Sequence, residues 1–172
     1  HLPITDMLMA ANRAFSLCPT LTHGAVHAML QFASEEQKET YLRPMNAGEW
    51  TGTMNLTEPE AGSDVGARTT RAVPADDGSW LRTGPKIYSS WGDHDVADNI
   101  VHLVLARLPV APAGIRGIST FVVPKFLEDG TRNPVFCGGT DHKMGINASP
   151  TCVMNFEGAE GWLVGEPHRG MK

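Results

Sequence analysis

Only three cysteines occur in 172 residues, and Cys18, Cys137 and Cys152 stand far apart. No C-x-x-C is present. The odd count and the spacing argue against a disulfide framework or a cysteine zinc site. They fit buried free thiols in a reducing compartment, and a cytoplasmic protein is the expectation. Lys and Arg number 14 against 19 Asp and Glu, a net charge of −5, and no basic run gathers them along the chain. A nucleic-acid partner is therefore not expected, because phosphate binding leans on clustered cations. No apolar run approaches the roughly 18 residues of a membrane-spanning helix, and no secretory pattern stands ahead of the first helix. G-x-G-x-x-G, G-x-x-x-x-G-K-[ST] and G-x-S-x-G are missing too, which leaves Rossmann, P-loop and nucleophile-elbow chemistry without support.

What is present divides near residue 50. Residues 5–48 carry apolar side chains at helical spacing: Met7, Ala11 and Phe15, then Leu21, Ala25, Ala28 and Phe32 after Cys18-Pro19. "SEEQ" from Ser34 is a capping box, in which the Ser34 hydroxyl and the Gln37 side chain serve each other's backbone N–H. It predicts a third helix from Glu35 to about Ala47, stopped by Gly48.

Beyond Glu49 the period changes. "TGTMNL", "RTTRAV", "SWLRT", "KIYSS", "NIVHLVLARL", "GISTFVV", "CVMNFEG" and "GWLVG" read as strands, with "ADDG", "PAG" and "EDG" as turns. No helical stripe interrupts them. The expected fold class is α+β: a few helices, then a mainly antiparallel β domain built as a barrel or orthogonal sheets. "NIVHLVLARL" is apolar on both parities, so it should be a central strand buried on both faces.

Two stretches hold the candidate chemistry. In "MNLTEPEAGSD", Pro59, Gly62 and Gly66 break regular structure after a strand. Exposed backbone N–H groups, with the hydroxyls of Thr57 and Ser63, suit phosphates without any basic residue. Taken alone, the same residue types fit better a solvated connection turned by Ser63-Asp64. In "KIYSSWGDHD", Tyr88 and Trp91 could lie against a flat ring while Ser89 or Ser90 donates to a ring heteroatom; plain strand packing is the competing reading. A metal site is not expected. "HGAVH" places His23 and His27 at i, i+4 but lacks the Glu of H-E-x-x-H, and adjacent residues of "DHD" alternate in direction.

These stretches in this order resemble the acyl-CoA dehydrogenase family. "LTEPEAGSD" followed by "GPKIYSS" is a specific pairing. The resemblance runs on through "GISTFVVPK" to "HKMGINASPTCVMNFEGAEGWLVGEPHRGMK", and the long segment around "ARLPVAPAGIRG" is similar to the branch of larger members. The resemblance implies residues 1–48 as the last helices of an N-terminal α domain and residues 49–172 as the middle β domain, with the C-terminal helical domain outside the chain. It implies non-covalent FAD, an acyl-CoA substrate oxidised across its α and β carbons, and an electron-transfer flavoprotein as acceptor. A homodimer or homotetramer is implied for the full-length protein. Position by position, Met54, Asn55, Leu56 and Thr57 would lie along the flavin. Gly62 and Ser63 would meet its pyrophosphate, with Ser63 also near the thioester arm of the substrate. Tyr88 stands where an aromatic packs on the isoalloxazine, Ser90 stands where a hydroxyl bonds near N5, and Ser89 counts among the cofactor-binding residues. The family's catalytic Glu belongs to the C-terminal domain, so no catalytic residue is expected here, and this stretch alone is expected to be inactive. Trp91, Asn147 and Pro150 depart from the commoner pattern. An oxidase that passes electrons to O₂, and a non-catalytic β module of the same fold, are the competing functions.

Overall fold

A computed structural model describes residues 2–171; His1 and Lys172, the outermost residues of the expected segments, lie outside them. The chain opens with α1 (Leu2–Phe32), α2 (Glu35–Gln37), a π-helical turn at Lys38–Leu42 and α3 (Arg43–Ala47). Seven strands follow: β1 (Trp50–Asn55), β2 (Arg71–Pro74), β3 (Trp80–Ser90), β4 (Asn99–Arg107), β5 (Ile118–Pro124), β6 (Val135–Thr140) and β7 (Thr151–Val164).

The capping box forms as the sequence predicts. Gln37 N–H donates to Ser34 Oγ at 3.2 Å and Ser34 N–H to Gln37 Oε1 at 3.1 Å. Gly48 ends α3 in the left-handed region, at φ 79°. The third helix is nevertheless not one regular helix, since its middle is the π-helical turn that buries Tyr41 and Leu42. The apolar stripe restarts in the sequence after Cys18-Pro19, but the kink in α1 falls at Asn12, at φ/ψ of −158°/91°. Asn12 Oδ1 accepts from Phe15 N–H at 3.0 Å, an N-cap contact. Pro19 is absorbed within the helix, and hydroxyls of Ser16, Thr20 and Thr22 bind back to carbonyls one turn earlier.

The β region is a closed ring with two flaps. β4, β2, β3, β7 and β5 pair in that order, and β5 returns to β4. β1 adds to β4, and β6 adds to β7. Most pairings are antiparallel, but β1–β4 and the short β2–β4 contact are parallel, which the strand-by-strand sequence reading did not contain. "SWLRT" and "KIYSS" fuse into β3, "CVMNFEG" and "GWLVG" fuse into β7, and β6 is a strand missed in the sequence.

β4 is buried along eight of its nine residues, as its two-parity pattern predicts. Val101 and Leu103 face outward against Ala25, Val26 and Met29 of α1, forming one core. Val104 and Ala106 face into the ring with Phe121, Met154 and Phe156, forming the second. The helices thus pack on the outside of the barrel across the β1–β4 pair. Gly52 marks the closest approach: a Cβ there would lie 2.7 Å from the Ala25 Cβ and 3.1 Å from Met45 Sδ. Gly52→Ala should therefore lower the urea midpoint with m unchanged, at a cost of about 1–3 kcal/mol from overpacking.

Candidate functional site

The loop after β1 is built around a buried carboxylate. Glu58 and Ala61 exchange backbone hydrogen bonds at 3.1 and 3.0 Å, with Pro59 and Glu60 at the corner. The Glu58 side chain turns inward and is fully buried. Its Oε1 accepts from Lys86 Nζ at 2.6 Å. Its Oε2 accepts from the backbone N–H groups of Thr69 and Thr70 and from the Thr69 hydroxyl. Lys86, also fully buried, donates further to Leu105 C=O at 2.7 Å. One carboxylate thus ties both ends of the loop to β3 and β4. Burial alone would push the Glu58 carboxyl up; Lys86 and the hydrogen bonds from Lys86, Thr69 and Thr70 outweigh it and hold the carboxyl below its ordinary value. Burial pulls the Lys86 ammonium below its ordinary value, against the pull of Glu58.

A second clamp holds the far side of the loop. Asp64 caps Gly66 N–H at 3.0 Å. The Arg107 guanidinium then donates to the carbonyls of Gly66, Arg68, Pro112 and Gly114. Behind β1, Asn55 Nδ2 lies 3.0 Å from His102 Nδ1 in the barrel interior. Burial drives the His102 pKa down to about 3, so this imidazole is neutral at any working pH.

β1 and β3 bring the two candidate stretches side by side. Ile87 N–H donates to Thr57 C=O at 2.9 Å, and the Thr53 hydroxyl donates to Ser90 C=O at 2.7 Å. The register of β3 against β7 slips between Lys86 and Ser89, and Tyr88 sits on that bulge at φ 55°. The bulge re-aims the side chain, leaving Tyr88 64% exposed beside the half-buried Thr57 and Ser90. The sequence candidates therefore separate by environment. Thr57, Tyr88 and Ser90 share the β1–β3 seam. Met54 and Leu56 point the other way, into an apolar cleft of about 600 Å³ between α1, β4 and the segment after β7. Gly62 and Ser63 lie on the exposed crest of the loop. Asn55 and Ser89 are buried, at 0% and 1% exposure, and face the interior. Trp91 is pinned under α1 through Nε1–H to Ala14 C=O at 3.2 Å.

No three His, Cys, Asp or Glu gather around a common point among the described residues. Lys125 pairs with Asp93 at 2.6 Å, and His94 lies 3.0 Å from the Thr51 hydroxyl, so "DHD" is a braced turn. Among the described residues no helix is long and apolar enough to cross a membrane. Sequence reasoning missed Glu58, Lys86, Asn55–His102 and Arg107 as the supports of the seam. A signal existed for one pair: Arg82 and Lys86 share the inward parity of β3, where a charge requires a partner.

Residues 53–159 match the description "Acyl-CoA dehydrogenase, middle domain". The chain is 49% identical to a 3-methylmercaptopropionyl-CoA dehydrogenase of Ruegeria pomeroyi, over 98% of this chain and 29% of that protein. It is 44% identical to a butyryl-CoA dehydrogenase of Syntrophomonas wolfei, over 95% of this chain and 28% of that protein. The solved butyryl-CoA dehydrogenase from Megasphaera elsdenii superposes with a TM-score of 0.82 at 30% identity, covering 96% of this chain and 42% of that one. With its ringed β fold and the loop–seam pair at residues 54–63 and 88–90, the chain belongs to the acyl-CoA dehydrogenase family. It spans less than a third of the length of these two relatives of Ruegeria and Syntrophomonas.

Glu58→Gln should destabilise the protein by about 3–5 kcal/mol, because Lys86 is left buried without its counter-charge. The carboxyl is depressed in the folded state, so its stabilisation is complete above the ordinary carboxylate pKa. It is lost as pH falls through the lower folded value. Urea titrations across the acid range should show the native protein losing stability there, and Glu58→Gln showing a flatter acid limb.

Proposed function

We propose that this chain supplies the flavin-cradling part of an acyl-CoA dehydrogenase that α,β-dehydrogenates an acyl-CoA thioester. The observation that carries the reading is the β1–β3 seam, where an exposed aromatic on a bulge stands beside two half-buried hydroxyl residues. An isoalloxazine needs a flat apolar contact and a few fixed donors at its heteroatom edge, and the seam has both. Residues 1–48 serve as the closing helices of the N-terminal domain and residues 49–172 as the middle domain.

Tyr88 packs on the ring, while Thr57 and Ser90 donate at its edge. Gly62 and Ser63 offer backbone N–H and hydroxyl to the pyrophosphate, and Ser63 also meets the substrate's thioester arm. Asn55 and Ser89 act from beneath as packing, since neither is exposed. Met54 and Leu56 present an apolar wall toward the acyl chain in the cleft beside α1. When bound, FAD supplies the hydride acceptor for the β-carbon of the thioester. Glu58 does not take the α-proton, because Lys86, Thr69 and Thr70 occupy its carboxylate. The partner that would accept the electrons is an electron-transfer flavoprotein, and the full-length enzyme would be a dimer or tetramer. The three free cysteines suit a reducing cytoplasm.

Anaerobic stopped-flow reduction of the full-length protein by acyl-CoA tests this. The wild type should bleach, and Ser90→Ala should slow bleaching by about 10- to 100-fold, the worth of a hydrogen bond to developing charge. A full-length protein that takes up no FAD overturns the reading. Peroxide released in air marks the oxidase.

A further inference from the structure

The sequence shows no basic cluster, yet the fold makes one. β2 and β4 touch at a single register pair, and that pair is Arg71 with Arg107. Like charges directly across two strands repel, so this placement costs stability unless something offsets it. Arg68 joins them; burial lowers its pKa, Glu58 opposes this, and the nearby Arg107 adds a smaller push downward. The three arginines line one pocket of about 590 Å³, between Thr69–Val73 and the loop Leu108–Ala111. No carboxylate lines it, and none of the three arginines is in an ion pair of the described residues.

Arg68 is the telling member. It is 2% exposed, and its Nε–H donates to Val65 C=O. Both Nη atoms are buried without a hydrogen-bond partner. Glu58, the carboxylate that acts on Arg68 electrostatically, is already committed to Lys86, Thr69 and Thr70. A buried guanidinium with both Nη groups unpaired is unfavourable, and an anion at the pocket would offset its charge. Arg107 is locked by four carbonyls and acts there as a fixed positive charge. Arg71 is exposed, and among the described residues its side chain is in no ion pair, so its planar fork is available for direct, bidentate contact.

We propose that this pocket binds a phosphate-class anion, with Arg71 in contact and Arg68 and Arg107 supplying charge from behind. A phosphate monoester matches it in charge and in acceptor geometry. Two sources carry that chemistry: free phosphate, and the 3′-phosphate on the nucleotide end of a CoA thioester. The second source rests on the acyl-CoA reading above; the site itself does not.

Thermal shift and calorimetry on the full-length protein, with inorganic phosphate, CoA and 3′-dephospho-CoA at matched ionic strength, distinguish these cases. Phosphate should raise the melting temperature of the wild type beyond a chloride control. Arg71→Gln, an exposed change, and Arg68→Gln should each weaken phosphate binding about tenfold. A CoA preference over dephospho-CoA of about tenfold, lost in Arg71→Gln, assigns the anion to CoA. A phosphate effect with CoA and dephospho-CoA binding equally assigns it to free phosphate and keeps the site. Phosphate binding with no CoA binding keeps the site and sinks the acyl-CoA reading instead. No phosphate effect beyond chloride, or the same effect in Arg71→Gln, overturns the proposal. Should Arg68→Gln fail to fold, the Arg71→Gln comparison decides alone.

Discussion

The buried ion pair between Glu58 and Lys86 is the constraint on which the rest of the site hangs. A loop with a proline and two glycines has no ladder of its own to fix it. Glu58 substitutes for that ladder by accepting from Lys86 on β3 and from Thr69 and Thr70 where the loop returns. The arrangement costs two desolvated charges. An apolar pair of similar size could match it in stability, but only the charged pair grips backbone N–H groups on one side and the Leu105 carbonyl on the other. The polar anchor therefore sets where Thr57 stands relative to Tyr88 and Ser90, which apolar packing does not specify so narrowly.

The double-sided burial of β4 supports this from below. Its outward residues carry the helices, and its inward residues carry the barrel core. β1 is held between these demands, with Met54 and Leu56 facing the apolar cleft while Asn55 meets His102 inside. One short strand thereby serves a cleft on one face and a polar seam at its end.

Local rules were legible in the sequence, and non-local ones were not. The Ser34 box, the Gly48 stop and the two-faced β4 each follow from a few neighbouring residues, and all three stand in the structure. The kink fell at Asn12 rather than Pro19 because a capping side chain can start a helix anywhere, while hydroxyls one turn away accommodate a proline. β6 was hidden by Gly138 and Gly139, which weaken strand propensity. The parallel β1–β4 pairing leaves no mark in periodicity. The family resemblance carried by "LTEPEAGSD" and "GPKIYSS" implied that the two stretches lie together, and Thr57 and Ile87 do pair. Glu58 carried no assigned role in the sequence, because nothing in its surroundings shows which way the side chain turns. Arg68, Arg71 and Arg107 looked scattered because only strand pairing makes neighbours of them.

The pairing of Trp50 with Asn99 also sets an order of events during synthesis. β1 leaves the ribosome well before the strand it zips onto, and everything from the loop through β3 must be made in between. Throughout that interval the backbone edge of Trp50–Asn55 lacks its native partner, an open invitation to a neighbouring nascent chain. The helices translated just ahead of it can shield its side chains through Ala25 and Met45, but they offer no N–H or C=O ladder. Chaperone dependence in this protein should thus concentrate in the window before β4 emerges.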